Sequence, residues 1–273
     1  MLAMPVLAAG TIVGWGYNGN GQVTPPVGND YVAISAGYLH SLALKKDGSI
    51  VGWGYNYDGE ATPPVGNDYV AISAGYLHNL ALKKDGSIVG WGENYNGRAT
   101  PPVGNDYVAI SAGLGHSLAL KKDGSIVGWG DNSDGQATPP AGNDYVAIAA
   151  GESHSLALKK DGSIVGWGDN SNGQATPPAG NDYVAIAAGG YHSLALKKDD
   201  SIVGWGYNSN GEAPPAGNDY VAIAAGGYHS LALTHTKNGE GVNVPEFPST
   251  VLPATMIGGF LGALLFIKKT REH

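Results

Sequence analysis

Residues 14–60 read GWGYNGNGQVTPPVGNDYVAISAGYLHSLALKKDGSIVGWGYNYDGE, and the opening Gly-Trp-Gly-Tyr-Asn returns at residues 52–56. The tryptophans Trp15, Trp53, Trp91, Trp129, Trp167 and Trp205 each follow the last by 38 residues. A fixed period in the range of roughly 20–50 residues marks a chain built from one supersecondary unit that cannot bury its apolar face alone. Within a unit, YVAISAG, HSLAL and SIVGWG are short alternating or β-branched runs bounded by turn residues, which predicts three strands and no helix. Asp47-Gly48 in KKDGS suits a two-residue type I′ hairpin between the second and third strands, because glycine accepts positive φ.

The stretch from one Trp-Gly to the next YVAI carries Pro-Pro and Gly without alternation and reads as a crossing connection. Three-stranded antiparallel sheets joined in this way form a β-propeller. Ala, Ser and Gly in the YVAISAG run suit the inner position, where sheets converge. There are six YVAI and six IVGWG runs, but the first IVGWG, residues 12–16, precedes every YVAI, and none follows Leu233. The expected fold is therefore an all-β, six-bladed propeller over residues 10–236, closed by the N-terminal strand in the last blade. Each Trp is expected as a wedge between blades.

Composition narrows the function. The 273 residues include 44 Gly and 16 Pro, and with 42% hydrophobic residues the chain is too apolar for disorder. It has no Cys, which excludes disulfides and thiolate metal sites. A net charge of −8 argues against a phosphate-binding surface and so against a nucleic-acid partner.

The paired signatures W-G-x-N-x-x-G-Q (residues 15–22) and A-G-x-x-H-S-L-A-L-x-x-D-G-x-I-x-x-W-G (residues 36–54) resemble the regulator of chromosome condensation repeat. The short unit is more similar to the prokaryotic branch, which includes a secreted β-lactamase-inhibiting propeller. Members of that family are propellers, usually of seven blades, and the resemblance implies a scaffold for protein contacts, not one function.

Composition changes near Lys237. Residues 250–267 are an apolar run followed by Lys268, Lys269 and Arg271. At about 1.5 Å per residue such a run nearly matches the ~30 Å hydrocarbon core, so it is expected as a transmembrane helix with the basic end, 268–273, cytoplasmic and the propeller outside. Pro245-Glu246-Phe247, in the linker 237–249, makes the tail resemble the PEF type of archaeal sorting signal. That resemblance implies an archaeosortase as a partner, removal of the helix and display on the cell surface. Residues 1–9 read as the remnant of a signal peptide.

One histidine recurs per unit, at His40, His78, His116, His154, His192 and His229. Repeat-equivalent positions do not converge on one ion, so these are expected to tie turns by hydrogen bonds, and neither a metal nor a cofactor is expected. The DNSDG and DNSNG loops at Asp131 and Asp169 lack the acids of a calcium loop and read as Asx-turns. A repeat gives every blade the same groups, whereas catalysis needs dissimilar groups meeting at one place, so the protein is expected not to be an enzyme.

Difference between copies is the informative signal. It falls just after Trp-Gly and between Ala-Gly and His, two positions that an up-down-up blade puts at one end. The candidate ligand-binding face comprises Tyr17, Tyr38, Tyr55, Tyr57, Tyr76, Glu93, Tyr95, Asp131, Glu152, Asp169, Tyr191, Tyr207 and Tyr228. With Asp58, Glu60, Asp134 and Glu212 counted in, its acids stand against Arg98 alone. Tyr with Asp and Glu favours a protein or glycan ligand. The function expected is a non-catalytic binding or adhesion module at the cell surface. The alternatives are a guanine-nucleotide exchange protein like the namesake of the family, and a secreted enzyme inhibitor.

Overall fold

The computed structural model describes residues 10–214, 216–234 and 263–265. Five antiparallel sheets of three strands follow one another. They are β1 (Tyr31–Ala36), β2 (His40–Lys45) and β3 (Ile50–Gly54); β4 (Tyr69–Ala74), β5 (His78–Lys83) and β6 (Ile88–Gly92); β7 (Tyr107–Ala112), β8 (His116–Lys121) and β9 (Ile126–Gly130). Then come β10 (Tyr145–Ala150), β11 (His154–Lys159) and β12 (Ile164–Gly168), and β13 (Tyr183–Ala188), β14 (His192–Lys197) and β15 (Ile202–Gly206). A sixth sheet holds β16 (Tyr220–Ala225) and β17 (Ser230–Thr234). The first strand of each sheet packs against the first and second strands of a neighbour, so first strands line the inside of a blade array.

The core lies between blades. Ile72, Ile110, Leu80, Leu118 and Leu156 are fully buried, each contributing about 1.5–3 kcal/mol by transfer out of water. The tryptophans act at the same seams: Trp91 packs on the cluster formed by the first two sheets, and Trp129 on the cluster of the second and third.

The hairpins are present but differ in type from the expectation. Gly48 N–H donates to Lys45 carbonyl at 2.9 Å and has φ 87°. Lys46 and Asp47 are not among the residues with positive φ. A type I′ turn needs positive φ at both central residues, so this is a type I turn followed by a glycine bulge. The Asp47 carboxylate, accepting from Ser49 N–H at 2.9 Å and Ser49 Oγ at 2.7 Å, fixes that geometry. Asp200, at φ 65°, occupies the glycine place in the fifth unit.

Closure of the ring also differs. Gly10 forms a bridge with Tyr31 and accepts its N–H, the role Gly48 plays toward Tyr69, so the N-terminal segment is fastened to the first sheet. Residues 12–16 form no strand and do not pair with β17, whose outer edge has no partner strand among the described residues. Trp15 is 81% exposed where Trp167 is 9%, and Leu231 is 62% exposed where Leu194 is 1%. Among the described residues there are thus five complete three-stranded blades and a sixth sheet without an outer strand.

Ala263–Leu265 forms a short strand, β18, antiparallel to the other edge of β16. Part of the helix expected over 250–267 is therefore strand. The rest of that run, the sorting motif Pro245, Glu246 and Phe247, the basic end and residues 1–9 lie outside the described residues. Among the described residues no helix is long and apolar enough to cross a membrane.

These exposures set a test. Leu194→Ala is expected to lower unfolding free energy by ~2–5 kcal/mol, and Leu231→Ala by less than ~1 kcal/mol, as measured by urea denaturation. Equal losses would mean that the β17 edge is covered in solution.

Candidate functional site

The two variable segments meet because each third strand ends at a glycine that reverses the chain. Gly54, Gly92, Gly130, Gly168 and Gly206 have φ of 90–99°. A Cβ on Gly54 would stand 2.7 Å from the Leu39 carbonyl, so only glycine fits. The next residue then donates its N–H to the inner turn: Tyr55 to Leu39, Glu93 to Leu77, Asp169 to Ser153 and Tyr207 to Tyr191, each at 2.8 Å, and Asp131 to Gly115 at 2.9 Å. Successive inner turns are joined in their turn. Tyr38 N–H donates to Tyr76 carbonyl, Tyr76 to Gly113, Leu114 to Gly151, Glu152 to Gly189 and Gly190 to Gly226, at 3.1–3.3 Å. This run of turns borders the inner end of the array.

Five of the candidate residues gather there. The Tyr38 and Tyr76 rings stack with centroids 4.2 Å apart and planes 22° from parallel. The Tyr191 hydroxyl donates to Glu152 Oε1 at 2.7 Å. Tyr228 leans on Tyr191 at 5.6 Å and 42°. The hydrogen bond to the Glu152 carboxylate, with burial and its charge, pushes the Tyr191 hydroxyl pKa upward. Burial, then the neighbouring Tyr38, raises that of Tyr76. Tyr38 and Tyr228 are nevertheless about half exposed. The other candidates stand apart in the connections leaving the outer strands. Tyr55 and Tyr57 form their own pair at 6.5 Å, Tyr17, Tyr57 and Tyr95 are largely exposed, and Tyr207 is partly buried.

The acids of this end are mostly committed within the fold. Arg98 forms an ion pair with Glu93 and donates through Nη1 to Leu114 carbonyl at 3.0 Å. Gln136 Nε2 donates to Asp131 at 3.2 Å, and Gln174 Nε2 to Asp169 at 2.7 Å. Glu60 and Glu212 are buried, each accepting the N–H of the residue two before it. Gln136 and Gln174 are supporting residues that the sequence reading passed over, and Arg98, counted there only as the face's lone base, is a third. The signal was available, since the residue five after each acid changes with it: Glu93 with Arg98, Asp131 with Gln136, Asp169 with Gln174. Asp131 and Asp169 also accept Ser133 and Ser171 N–H, the Asx-turn geometry. Among the described residues no three metal-ligating side chains cluster.

The histidines close their own turns through the backbone, each carbonyl accepting the N–H of the glycine three residues earlier, while their side chains join neighbouring sheets. Nε2 of His78, His116, His154 and His192 meets Oγ of Ser117, Ser155, Ser193 and Ser230 at 2.8–3.0 Å, and His40 meets Asn79 Oδ1 at 2.7 Å. Each serine hydroxyl already donates to a backbone carbonyl, as Ser117 does to Arg98, and Asn79 Oδ1 can only accept. The rings are thereby fixed as the neutral Nε2–H tautomer, with the buried Nδ1 atoms unpartnered. Burial holds His116 at about 4 and His154 at about 3, and pushes His78 far down.

The opposite end carries the lysine turns, where Lys45, Lys83, Lys121, Lys159 and Lys197 pair with Asp30, Asp68, Asp106, Asp144 and Asp182 at 3.2–3.4 Å. Exposed pairs of this kind contribute about 0–1 kcal/mol.

Comparison with known proteins places the repeat. Residues 31–60, 69–98, 107–136, 145–174 and 183–212 match the family described as Regulator of chromosome condensation (RCC1) repeat. Each match runs from an inner strand to the residue whose carbonyl anchors the following sheet. Among solved structures, Prp20p from Saccharomyces cerevisiae, described with its binding to Gsp1p and histones, superposes with a TM-score of 0.64 at 20% identity over 76% of this chain and 69% of its own. The CRINKLY WD40 ectodomain of the Arabidopsis thaliana receptor kinase ACR4 gives 0.67 at 22% identity over 85% and 88%. The ectodomain of the Physcomitrella patens receptor kinase CR4 gives 0.65 at 25% identity over 77% and 60%. These identities establish a shared fold. No curated protein sequence matches the chain.

Acid is expected to undo the histidine seams. The unfolded chain takes up protons near pH 6.5, whereas the buried rings resist them, so stability is complete above about 6.5 and falls as pH drops toward 4. Each such ring steepens the loss by up to ~1.4 kcal/mol per pH unit. Urea midpoints between pH 4 and 8 measure it. His116→Ala is expected to cost ~1–3 kcal/mol at pH 8 and to flatten the acid slope; an unchanged slope would refute the assignment.

Proposed function

The chain belongs to the Regulator of chromosome condensation (RCC1) repeat family, and we propose that it is a non-catalytic protein-binding module whose contact surface is the tyrosine-rich end of the inner turns. One observation carries this reading. The units are nearly identical in their strands and lysine turns, yet the copies diverge where Tyr38, Tyr76, Glu152, Tyr191 and Tyr228 come together. Large aromatic side chains with a polar tip anchor protein interfaces at low entropic cost. The family's use as a scaffold, and a fold neighbour described with its binding to Gsp1p and histones, support a protein partner over a glycan.

The non-catalytic part of this reading is supported by the repeat, which supplies equivalent groups to every blade. Display at the cell surface rests on the sequence, through the apolar run 250–267, its basic end and the Pro245-Glu246-Phe247 motif.

The test is affinity capture from cells of the source organism with the full chain. Tyr38→Ala, Tyr76→Ala and Tyr228→Ala are expected to lose the partner, with truncation of an anchor costing ~2 kcal/mol or more. Lys83→Ala and Lys121→Ala are expected to retain it. The reverse pattern would move the function to the other end.

A further inference from the structure

The tyrosine-rich end has an electrostatic character that narrows its ligand, an argument that rests on the proposed reading. Tyr191 and Tyr228 meet at 42°, so their rings form an open corner, not a closed stack. Glu152 stands at that corner. Its Oε1 accepts the Tyr191 hydroxyl at 2.7 Å, and its other oxygen carries no hydrogen bond among the described residues. The neighbouring turns add the Tyr38–Tyr76 stack, close enough that the Glu152 charge is felt at the Tyr76 hydroxyl.

Among the described residues this end offers no free cation to fill the corner. Among the described residues Arg98 is its one basic side chain, and it is buried, paired with Glu93 and bonded to the Leu114 carbonyl. Asp58 and Asp131 also act on it, so its charge is more than compensated. The described lysines occupy the far end, five of them in pairs with aspartates. What remains is a carboxylate oxygen without a hydrogen-bond partner among the described residues, at the hydroxyl tip of Tyr191 beside two tilted rings whose faces carry negative electrostatic potential. Aromatic faces attract ammonium and guanidinium groups through the ring quadrupole, and a carboxylate adds a charge-assisted hydrogen bond.

We infer that the corner formed by Glu152, Tyr191 and Tyr228 is a receptor for a basic side chain, a lysine projecting from the surface of a protein partner. The aliphatic stem of the lysine lies along the tyrosine rings and its ammonium group reaches the open oxygen of Glu152. The Tyr38–Tyr76 stack flanks the approach and supplies further contact to the partner.

The experiment uses the full chain with 13C-labelled tyrosine, titrated at fixed ionic strength with a capped Gly-Lys-Gly peptide and with its acetyl-lysine counterpart. The lysine peptide is expected to give saturable shifts of the Tyr191 and Tyr228 resonances. The acetylated peptide, which lacks the charge, is expected to give none. Glu152→Gln keeps size and polarity and is expected to weaken binding by about tenfold, the worth of one charge-assisted hydrogen bond. Tyr228→Leu keeps bulk and removes the ring face, and is expected to weaken it severalfold. Thermal denaturation checks that both variants fold. Equal response to both peptides, wild-type affinity in Glu152→Gln, or no saturable shift overturns the inference. A partner protein that depends on Tyr38 and Tyr76 but ignores Glu152→Gln would leave the protein-binding reading standing and defeat this one.

Discussion

Everything in this fold hangs on one backbone oxygen per repeat. The carbonyl at the end of each connection, at Gln22, Glu60, Arg98, Gln136 and Gln174, accepts two hydrogen bonds from the following sheet. One comes from the indole N–H of the tryptophan on the third strand, the other from the Ser or Asn beside the histidine on the second. The buried indole is thereby satisfied, as a buried donor must be. The same Ser or Asn then receives the histidine of the preceding sheet, so a single side chain links three segments. This geometry explains why the side chain at the anchoring position can vary between Gln, Glu and Arg. Its carbonyl does the joining, and the side chain is free to hold the acid five residues earlier, as at Arg98, Gln136 and Gln174, or to accept the N–H two residues earlier, as at Gln22 and Glu60.

Much of the architecture was legible in the sequence because the repeat enforces it. A 38-residue period, three short runs per unit and turn residues between them leave few alternatives to blades. The turn type was misread because Asp-Gly is compatible with two hairpins. The Asp47–Ser49 hydrogen bonds, which involve a residue outside the dipeptide, select the type I turn with a bulge. Counting strands led to an expected closure by the N-terminal segment that the described residues do not form, because a count cannot say whether the two ends meet. That depends on the rotation between blades, which is set by side-chain packing at five seams and leaves no mark in a strand count.

The candidate face was legible in outline only. Divergence between copies located the end of the array where Tyr38, Tyr76, Glu152, Tyr191 and Tyr228 gather. It could not separate acids facing solvent from acids held by Arg98, Gln136 or Gln174, because that distinction needs the side-chain path across five residues of loop. Charge counting therefore overstated the free negative charge there. Tyr17, Tyr57 and Tyr95 were grouped with the inner tyrosines on the strength of residue type, although they lie on connections from the outer strands.

The open edge of β17 has a bearing on how such a chain changes over generations. The bonds between sheets recur at the same repeat positions from one unit to the next, as His78–Ser117 recurs in His116–Ser155, so inserting or removing a whole unit leaves each surviving seam as it was. Nearly identical coding segments exchange unequally, and the products of that exchange would fold by the rules already in place. An array whose terminal sheet has no outer strand among the described residues tolerates a change in copy number that a sealed ring would resist. The number of blades is then a quantity that selection can adjust, while the chemistry of each seam stays constant.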